Sequence, residues 1–550
     1  IRNILKDMDI DVKKVNPSAI HAIISQSKNE NISSLEYANI AKGPYQQVVA
    51  QVYIAYDKKL KEIDALDFDD LLIRSIDLFQ NVPHILEKYQ NIFSYIMIDE
   101  YQDTNHIQYT ITKLLAAKYK NLCVVGDMSQ SIYKFRGADI RNIIAFEKDY
   151  PATKVFSLEE NYRSTQFILD TATAVITKNT GHKVLKLFTK NPAGLPISIY
   201  EAQNEIDEAH YIIRQAVNNE YLYKDCAILY RTNAQSRILE ETCIKNGIPY
   251  KLIGGLRFYD RKEIKDLLAY LRVFQNPKDT VSTDRINKIG KTKFRKFELF
   301  LQDYKQEETI ISDTNTTTQN EKDTAQLSFF DQPKIEEPSF EEPSVIAQAH
   351  TTLDILNRVI DLVDYIEYID DGTDIGTSKI ENIKELKTVA TQYPNLDQFL
   401  EAVSLLEGPE TVSGRHKVES EYNAITLMTL HAAKGLEFKH VFIVGWEEGL
   451  FPHSRALLDQ SELEEERRLA YVGITRAMQD LFLTYTLSRT IYGSHQTSII
   501  SRFISDIPEN LIKFENAYSK GRNSYSKAKS YNQKVQYYSQ QLDAIEDITW

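Results

Sequence analysis

Two adjacent carboxylates, Asp99 and Glu100, close a short apolar run from Tyr95 to Ile98. Such a run reads as a strand buried on both faces, and ligands of open α/β sheets gather at the carboxyl ends of strands. Paired acids there suit phosphate chemistry, because one can hold Mg²⁺ against the phosphates while the other orients and deprotonates an attacking water. A strand that merely runs into an acidic loop would carry the same letters. A second run, Leu122 to Val125, ends in Gly126-Asp127 and is followed by Gln130, Tyr133, Phe135 and Arg136. Two strand ends loaded with polar groups so close in sequence point to one site. Tyr162-Arg163 follows an expected strand at Lys154 to Phe156 and opens a helix. An aromatic beside an arginine at that junction can stack a base and pair a phosphate; a half-buried tyrosine with a solvated arginine is the plainer alternative. His431, Lys434, Gly435 and Glu437 then lie in one loop before a strand at His440 to Val444, and Arg476 precedes what reads as the last strand, Leu481 to Tyr485.

These groups need a scaffold. The 550 residues suffice for several domains with sizeable cores, and 42% hydrophobic with 26% charged residues is ordinary for a globular protein. The formal charge of −13 excludes a general polyanion binder, so a nucleic-acid site must be a local groove with its own cations and aromatics. Cys123, Cys226 and Cys243 lack metal or disulfide spacing and read as buried thiols. No apolar run reaches membrane-spanning length and no signal peptide opens the chain, so a cytoplasmic protein without a membrane partner is expected. Residues 1 to 90 carry helical periodicity. Within them, Leu66 to Leu71 reads as a helix start with Phe68 as a core aromatic. From Tyr95 to Tyr162 strands alternate with helices, as in a parallel sheet. A second sheet begins at Cys226 to Tyr230, is interrupted by a helical excursion, and resumes at Ile425. Ile1 opens inside a helical pattern without a capping signal and a polar tail stops at Trp550, so the chain is expected to be an internal piece of a longer protein.

Five stretches now stand in one order: Asp-Glu-Tyr-Gln-Asp-Thr-Asn from 99, Val-Gly-Asp-Met-Ser-Gln-Ser-Ile-Tyr-Lys-Phe-Arg-Gly-Ala-Asp from 125, Glu-Asn-Tyr-Arg-Ser from 160, Leu-His-Ala-Ala-Lys-Gly-Leu-Glu-Phe from 430, and Ala-Tyr-Val-Gly-Ile-Thr-Arg-Ala from 470. Together they resemble the superfamily 1 DNA helicases of the UvrD/PcrA/Rep type, nearest the PcrA branch. The resemblance implies an α/β protein with two RecA-like parallel-sheet motor domains, the first incomplete, each carrying an inserted helical subdomain, with ATP in the cleft between the motors. It divides the chain into a partial helical subdomain 1B (1–88), a partial motor 1A (89–157), motor 2A in two parts (158–258 and 423–515), helical subdomain 2B (259–422, with a disordered acidic insertion at about 303–346), and a linker (516–550). It also implies that Asp99 carries Mg²⁺, Glu100 activates water, Gln130 senses the γ-phosphate, and Arg163 and Arg476 are arginine fingers. Tyr162 would stack on adenine and Glu437 hold the ribose, while Lys434, Gly435 and His431 couple nucleotide to DNA. Phe68, Tyr133, Phe135, Arg136, His431, His453 and Tyr492 match positions lining a single-strand channel, with single/double-strand junctions as substrate. The implied activity is ATP-dependent 3′-to-5′ unwinding in repair or replication restart. A non-catalytic DNA-binding remnant is the leading alternative, and a helicase-nuclease subunit would need a further metal-binding carboxylate domain.

Three features depart from the family. No Gly-x-x-x-x-Gly-Lys-Thr loop occurs: Gly290-Lys291-Thr292 has Arg285 where the first glycine should stand and no strand before it. With Lys288, Lys293, Arg295 and Lys296 it reads either as a basic patch touching duplex backbone or as a solvated charge run. In the acidic insertion, Gln326, Leu327, Phe329 and Phe330 resemble the peptides that dock on the replication sliding clamp, with a stray hydrophobic cluster as the alternative.

Overall fold

A computed structural model of the chain describes residues 1–11, 15–304, 351–407, 423–491 and 494–516. The acidic insertion with its clamp-like peptide, the tail beyond 516, and Tyr492 lie outside them. The described residues before β1 form six helices joined by short turns. Helices Pro17–Asn29 and Pro44–Glu62 turn Ile20, Ile24, Val49, Val52 and Tyr53 into a small core. The helix Phe68–Asn81 starts as its acids dictate, with a capping box between Asp67 and Asp70. Phe68 itself is not core: at the first helical position it points outward and is 90% exposed.

Strands β1 (Ile96–Ile98) and β2 (Leu122–Val124) pair in parallel as a two-stranded sheet, with the helix His106–Ala116 between them. The expectation of a strand buried on both faces fails here. Only one face is covered by helices, and the other leaves Met97 78% and Tyr95 80% exposed. Cys123 is exposed on the same sheet. The expected strand at Lys154 to Phe156 does not form either, because no strand of the described residues lies beside it.

The second sheet has seven parallel strands. In chain order these are β3 (Ile197–Ala202), β4 (Cys226–Tyr230), β5 (Tyr250–Ile253), β6 (Ile425–Thr429), β7 (Phe438–Ile443) and β8 (Ala477–Thr486). A hairpin of β9 (Ser488–Ile491) and β10 (Ser494–Thr497) follows, and β11 (Ile512–Asn516) completes the edge. The order across the sheet is β11-β3-β8-β7-β4-β6-β5. Leu481 to Tyr485 is therefore the second half of β8 and not the last strand; the alternation of Ile512, Phe514 and Asn516 was too short and polar to announce β11. Both faces are buried, as an all-parallel sheet requires. Ile199, Leu229, Val441, Ile443 and Leu483 face the helices Gln166–Ile176 and Gln460–Ile474, while Tyr200, Ile228, Tyr230 and Phe442 face Glu205–Asn218 and Ser236–Lys245.

Between β5 and β6 the chain leaves the sheet for a helical module with its own core, which includes Leu267, Leu271, Phe297, Leu356, Leu386 and Phe399. Gly290 ends the helix Thr280–Ile289 there, far from any strand end, so Gly290-Lys291-Thr292 is a helix terminus and not a phosphate loop. Lys293 and Lys296 of the basic stretch turn onto the end of the helix Thr352–Leu362: Lys293 Nζ donates to the Asp364 carbonyl at 3.1 Å and Lys296 pairs with the Asp364 carboxylate at 3.1 Å. No described helix is long and apolar enough to cross a membrane.

Candidate active site

The carboxyl ends of β1 and β2 face the second sheet on the side where Glu437 and Arg476 stand immediately before β7 and β8, and the singled-out residues meet between them. After β1 the chain turns sharply: Glu100 adopts φ 52°, a left-handed conformation that a glutamate enters only when its surroundings compel it. Asp99 and Glu100 are exposed. Asp99 Oδ1 accepts from the Glu100 amide at 2.9 Å. Gln102, fully buried, donates to Glu100 Oε2 at 2.5 Å and accepts from the Asp127 amide at 3.0 Å, tying the end of β1 to the loop after β2. That crossing explains Gly126: a Cβ there would sit 2.5 Å from Gln102 Oε1. Asp127 in turn accepts from the Ser129 amide and from Gln130 Nε2, both at 2.9 Å, so Gln130 is aimed by the same carboxylate that shapes its turn.

The second sheet contributes the facing side. Lys434, 7% exposed, reaches across to Glu100 at 3.2 Å, to the Asp103 carboxylate, and to the Gln130 carbonyl at 2.8 Å. Gly435 takes φ 84° just after it, which lets the chain turn back into β7. Burial raises the Asp103 pKa against the pull of Lys434. Arg163 Nε donates to Glu437 at 2.7 Å, and Tyr162 beside it is 80% exposed.

Arg476 differs from every other cation in the site. It is 2% exposed, and its guanidinium donates only to neutral oxygens: the Val472 carbonyl at 3.0 Å, the Leu436 carbonyl at 3.2 Å and Thr475 Oγ1 at 3.1 Å. No carboxylate of the described residues pairs with it. Burial, and then the like charge of Arg163, push its pKa down to about 10. A buried cation without a counter-ion is costly, and an anion arriving from the cleft would relieve that cost.

Beside the cleft lies an aromatic cluster. Phe135 packs 5.6 Å edge-on from the His431 ring and 6.0 Å from Tyr133, whose ring carries Lys434 Nζ at 5.3 Å. Phe135 is 53% exposed, so the cluster has an open side. Arg136 belongs to the same turn by its backbone. Phe68 and His453 do not join it through any ring contact of the described residues. His453 instead lies 3.3 Å from Glu381 of the helical module, with its amide donating to Glu466.

The sequence reading gave no role to Gln102 and Asp103, and named Asp127 only as the polar end of its run. Their signal was present, since all three stand inside the quoted stretches, but a buried glutamine bridging two loops has no spacing of its own.

Comparison with known proteins agrees with this geometry. The model of the UvrD/REP helicase N-terminal domain matches residues 1–151, and that of the UvrD-like helicase C-terminal domain matches residues 156–488. The ATP-dependent DNA helicase PcrA of Bacillus subtilis (strain 168) is 43% identical over 553 residues, covering 95% of this chain and 72% of that protein. The protein of the same description from Staphylococcus aureus (strain COL) is 44% identical over 536 residues, covering 93% and 71%. A facing pair of parallel sheets, with acids on one and a buried unpaired arginine beside the other, thus coincides with matches over nearly the whole length, and the chain belongs to the UvrD-like family of DNA helicases.

Proposed function

We propose that this chain is the motor of an ATP-dependent DNA helicase that moves 3′-to-5′ along single-stranded DNA and opens duplex at single/double-strand junctions, in repair or replication restart within the bacterial cytoplasm. The observation that carries the reading is Arg476, a buried cation with no carboxylate partner among the described residues, near enough to Glu100 to feel its charge. Its hydrogen bonds go to neutral oxygens only, so its charge is left unanswered, and the charge developing on a transferring phosphoryl group would complete it.

Asp99 and Glu100 offer hard oxygen ligands, and no cluster of three or more His, Cys, Asp or Glu among the described residues could hold an ion by itself. That suits Mg²⁺, which keeps several waters and takes one or two protein carboxylates beside substrate phosphates. Bound there, it would neutralise phosphate charge. Glu100, aimed by Gln102, takes the proton of the attacking water. Gln130 reads the terminal phosphate, Arg163 exchanges Glu437 for a phosphate oxygen, and Arg476 is already in place. Tyr162 covers the base and Glu437, once released, takes the ribose. Because the acids and arginines stand on different sheets, hydrolysis requires the cleft to be closed. The cluster of Tyr133, Phe135 and His431, together with Phe68, Arg136, His453 and Tyr492 as the remaining DNA-contacting residues of this reading, then shifts bases as the cleft opens and closes.

The test is Glu100→Gln in the full-length protein. Nucleotide binding should survive while DNA-stimulated phosphate release falls about 10²–10⁴-fold, since an amide cannot accept the proton. Release at the wild-type rate would overturn the assignment of Glu100.

A further inference from the structure

One half-buried histidine makes a contact between the two motors that none of the assigned roles uses. His182 lies in the stretch after the helix Gln166–Ile176, on the side of the seven-stranded sheet. That stretch is clamped to the helix Gln460–Ile474: Asn179 Nδ2 donates to the Glu464 carbonyl at 2.9 Å, and the Thr180 amide and hydroxyl donate to Glu464 Oε1 at 3.2 and 3.3 Å. At Gly181 a Cβ would come within 2.9 Å of Glu464 Oε2. His182 therefore moves with the second motor. Its Nε2, however, hydrogen-bonds Ser129 Oγ at 3.0 Å in the loop after β2, on the first motor. Ser129 is 3% exposed, and His182 Nδ1 is buried without a hydrogen-bond partner among the described residues. Burial, and then the charge of Arg468, push the ring pKa down.

From Ser129 a continuous line of hydrogen bonds leads to the reacting end of the site. The Ser129 amide donates to Asp127, the Asp127 amide to Gln102, and Gln102 to Glu100, at 2.9, 3.0 and 2.5 Å. Asp127 also holds Gln130. Two residues beyond Ser129, Arg468 Nε donates to the Ser131 carbonyl at 2.8 Å, so the same loop is fastened to the second motor at a second point.

We propose that His182 is a positioning residue: through Ser129 it sets the loop 127–131, and with it Gln130 and Glu100, to the closed position of the second motor. The inference rests on the helicase reading of the site. It asks little of the bond itself, since a single hydrogen bond adds only modestly to stability. The leverage comes from geometry, because a displacement of about 1 Å at a reacting group can cost up to 10²-fold in rate.

The experiment uses the full-length protein with saturating oligothymidylate. His182→Ala should lower the kcat of DNA-stimulated ATP hydrolysis about tenfold while KM for ATP and Kd for the oligonucleotide move less than about twofold. His182→Gln, whose amide reaches the place of Nε2, should recover most of the loss. Ser129→Ala should match His182→Ala, and the double variant should be no worse than either alone. Wild-type kcat in His182→Ala, KM or Kd moving along with kcat, or losses that multiply in the double variant would each overturn the proposal. Hydrogen exchange at residues 128–131 supplies an arm that needs no hydrolysis. Faster exchange in His182→Ala, restored in His182→Gln, supports the positioning role, and unchanged exchange rejects it. Should the wild-type protein hydrolyse no ATP, the helicase reading falls while the exchange arm still decides what His182 holds.

Discussion

Two buried arginines beside the seven-stranded sheet, Arg476 just before β8 and Arg489 in β9, are held in opposite ways. Arg489, 8% exposed, donates to Glu447 at 2.7 and 3.1 Å and to Glu208 at 2.6 Å. Those carboxylates are themselves satisfied: Glu208 accepts from the Gly445 amide and Thr484, and Glu447 from the Thr486 amide and hydroxyl. Burial alone would lower the Arg489 pKa, but the two carboxylates outweigh it and raise it well above the ordinary range. Arg476, buried as deeply, has carbonyls and a hydroxyl in place of carboxylates, and its pKa goes down. Burial is therefore a poor guide to role. An arginine whose charge is answered inside the protein holds the fold together, and one whose charge is left open waits for something from outside.

Replacing each arginine by methionine would put that difference to its hardest test. Arg476→Met should abolish transition-state stabilisation, lowering DNA-stimulated hydrolysis about 10³–10⁵-fold, yet leave thermal unfolding unchanged or raise its midpoint, because an uncompensated charge has been removed. A midpoint that falls along with activity would make Arg476 structural. Arg489→Met should do the reverse, since it strands Glu208 and Glu447 together in the interior. A loss of about 3–5 kcal/mol in denaturant unfolding is expected, and an unfolding curve matching wild type would erase the contrast. Phe135→Ala should give the smallest effect and touch neither property: it removes a stacking surface, so single-strand affinity should drop by about 1–3 kcal/mol in a binding titration while ATP affinity holds. Unaltered affinity for single strands would take Phe135 out of the DNA path.

The acids of the site were legible because they sit where apolar runs stop abruptly at polar groups, whereas Glu437 and Arg476 stand just before β7 and β8 and Arg163 follows no strand. Asp99, Glu100, Arg163, Lys434 and Arg476 could be singled out from residue type and position, and the family resemblance supplied an order for them. What letters could not carry was exposure. Phe68 has the composition of a core residue, and only its place at the first turn of a capped helix turns it outward. Val155 and Phe156 have strand propensity, but a strand needs a neighbour to bond with, and none of the described strands lies there. His182 stayed hidden because a lone histidine between Gly181 and Lys183 has neither spacing nor neighbours in sequence that point at Ser129, 53 residues away.

The strand order of the second sheet also dictates a sequence of events on the ribosome. None of β3, β4 and β5 is hydrogen-bonded to another: β3 lies between β11 and β8, β4 between β7 and β6, and β5 against β6 alone. All three are made before residue 254, and every partner they have follows residue 424. At about 5–20 residues per second this leaves roughly 10–30 s in which three apolar strands have no edge to join. The helical module between β5 and β6 owns a core drawn from its own residues and can fold during that interval. The nascent chain thus completes its insertion before its host, and chaperone demand should peak for ribosome-bound chains stalled between the emergence of β5 and that of β6.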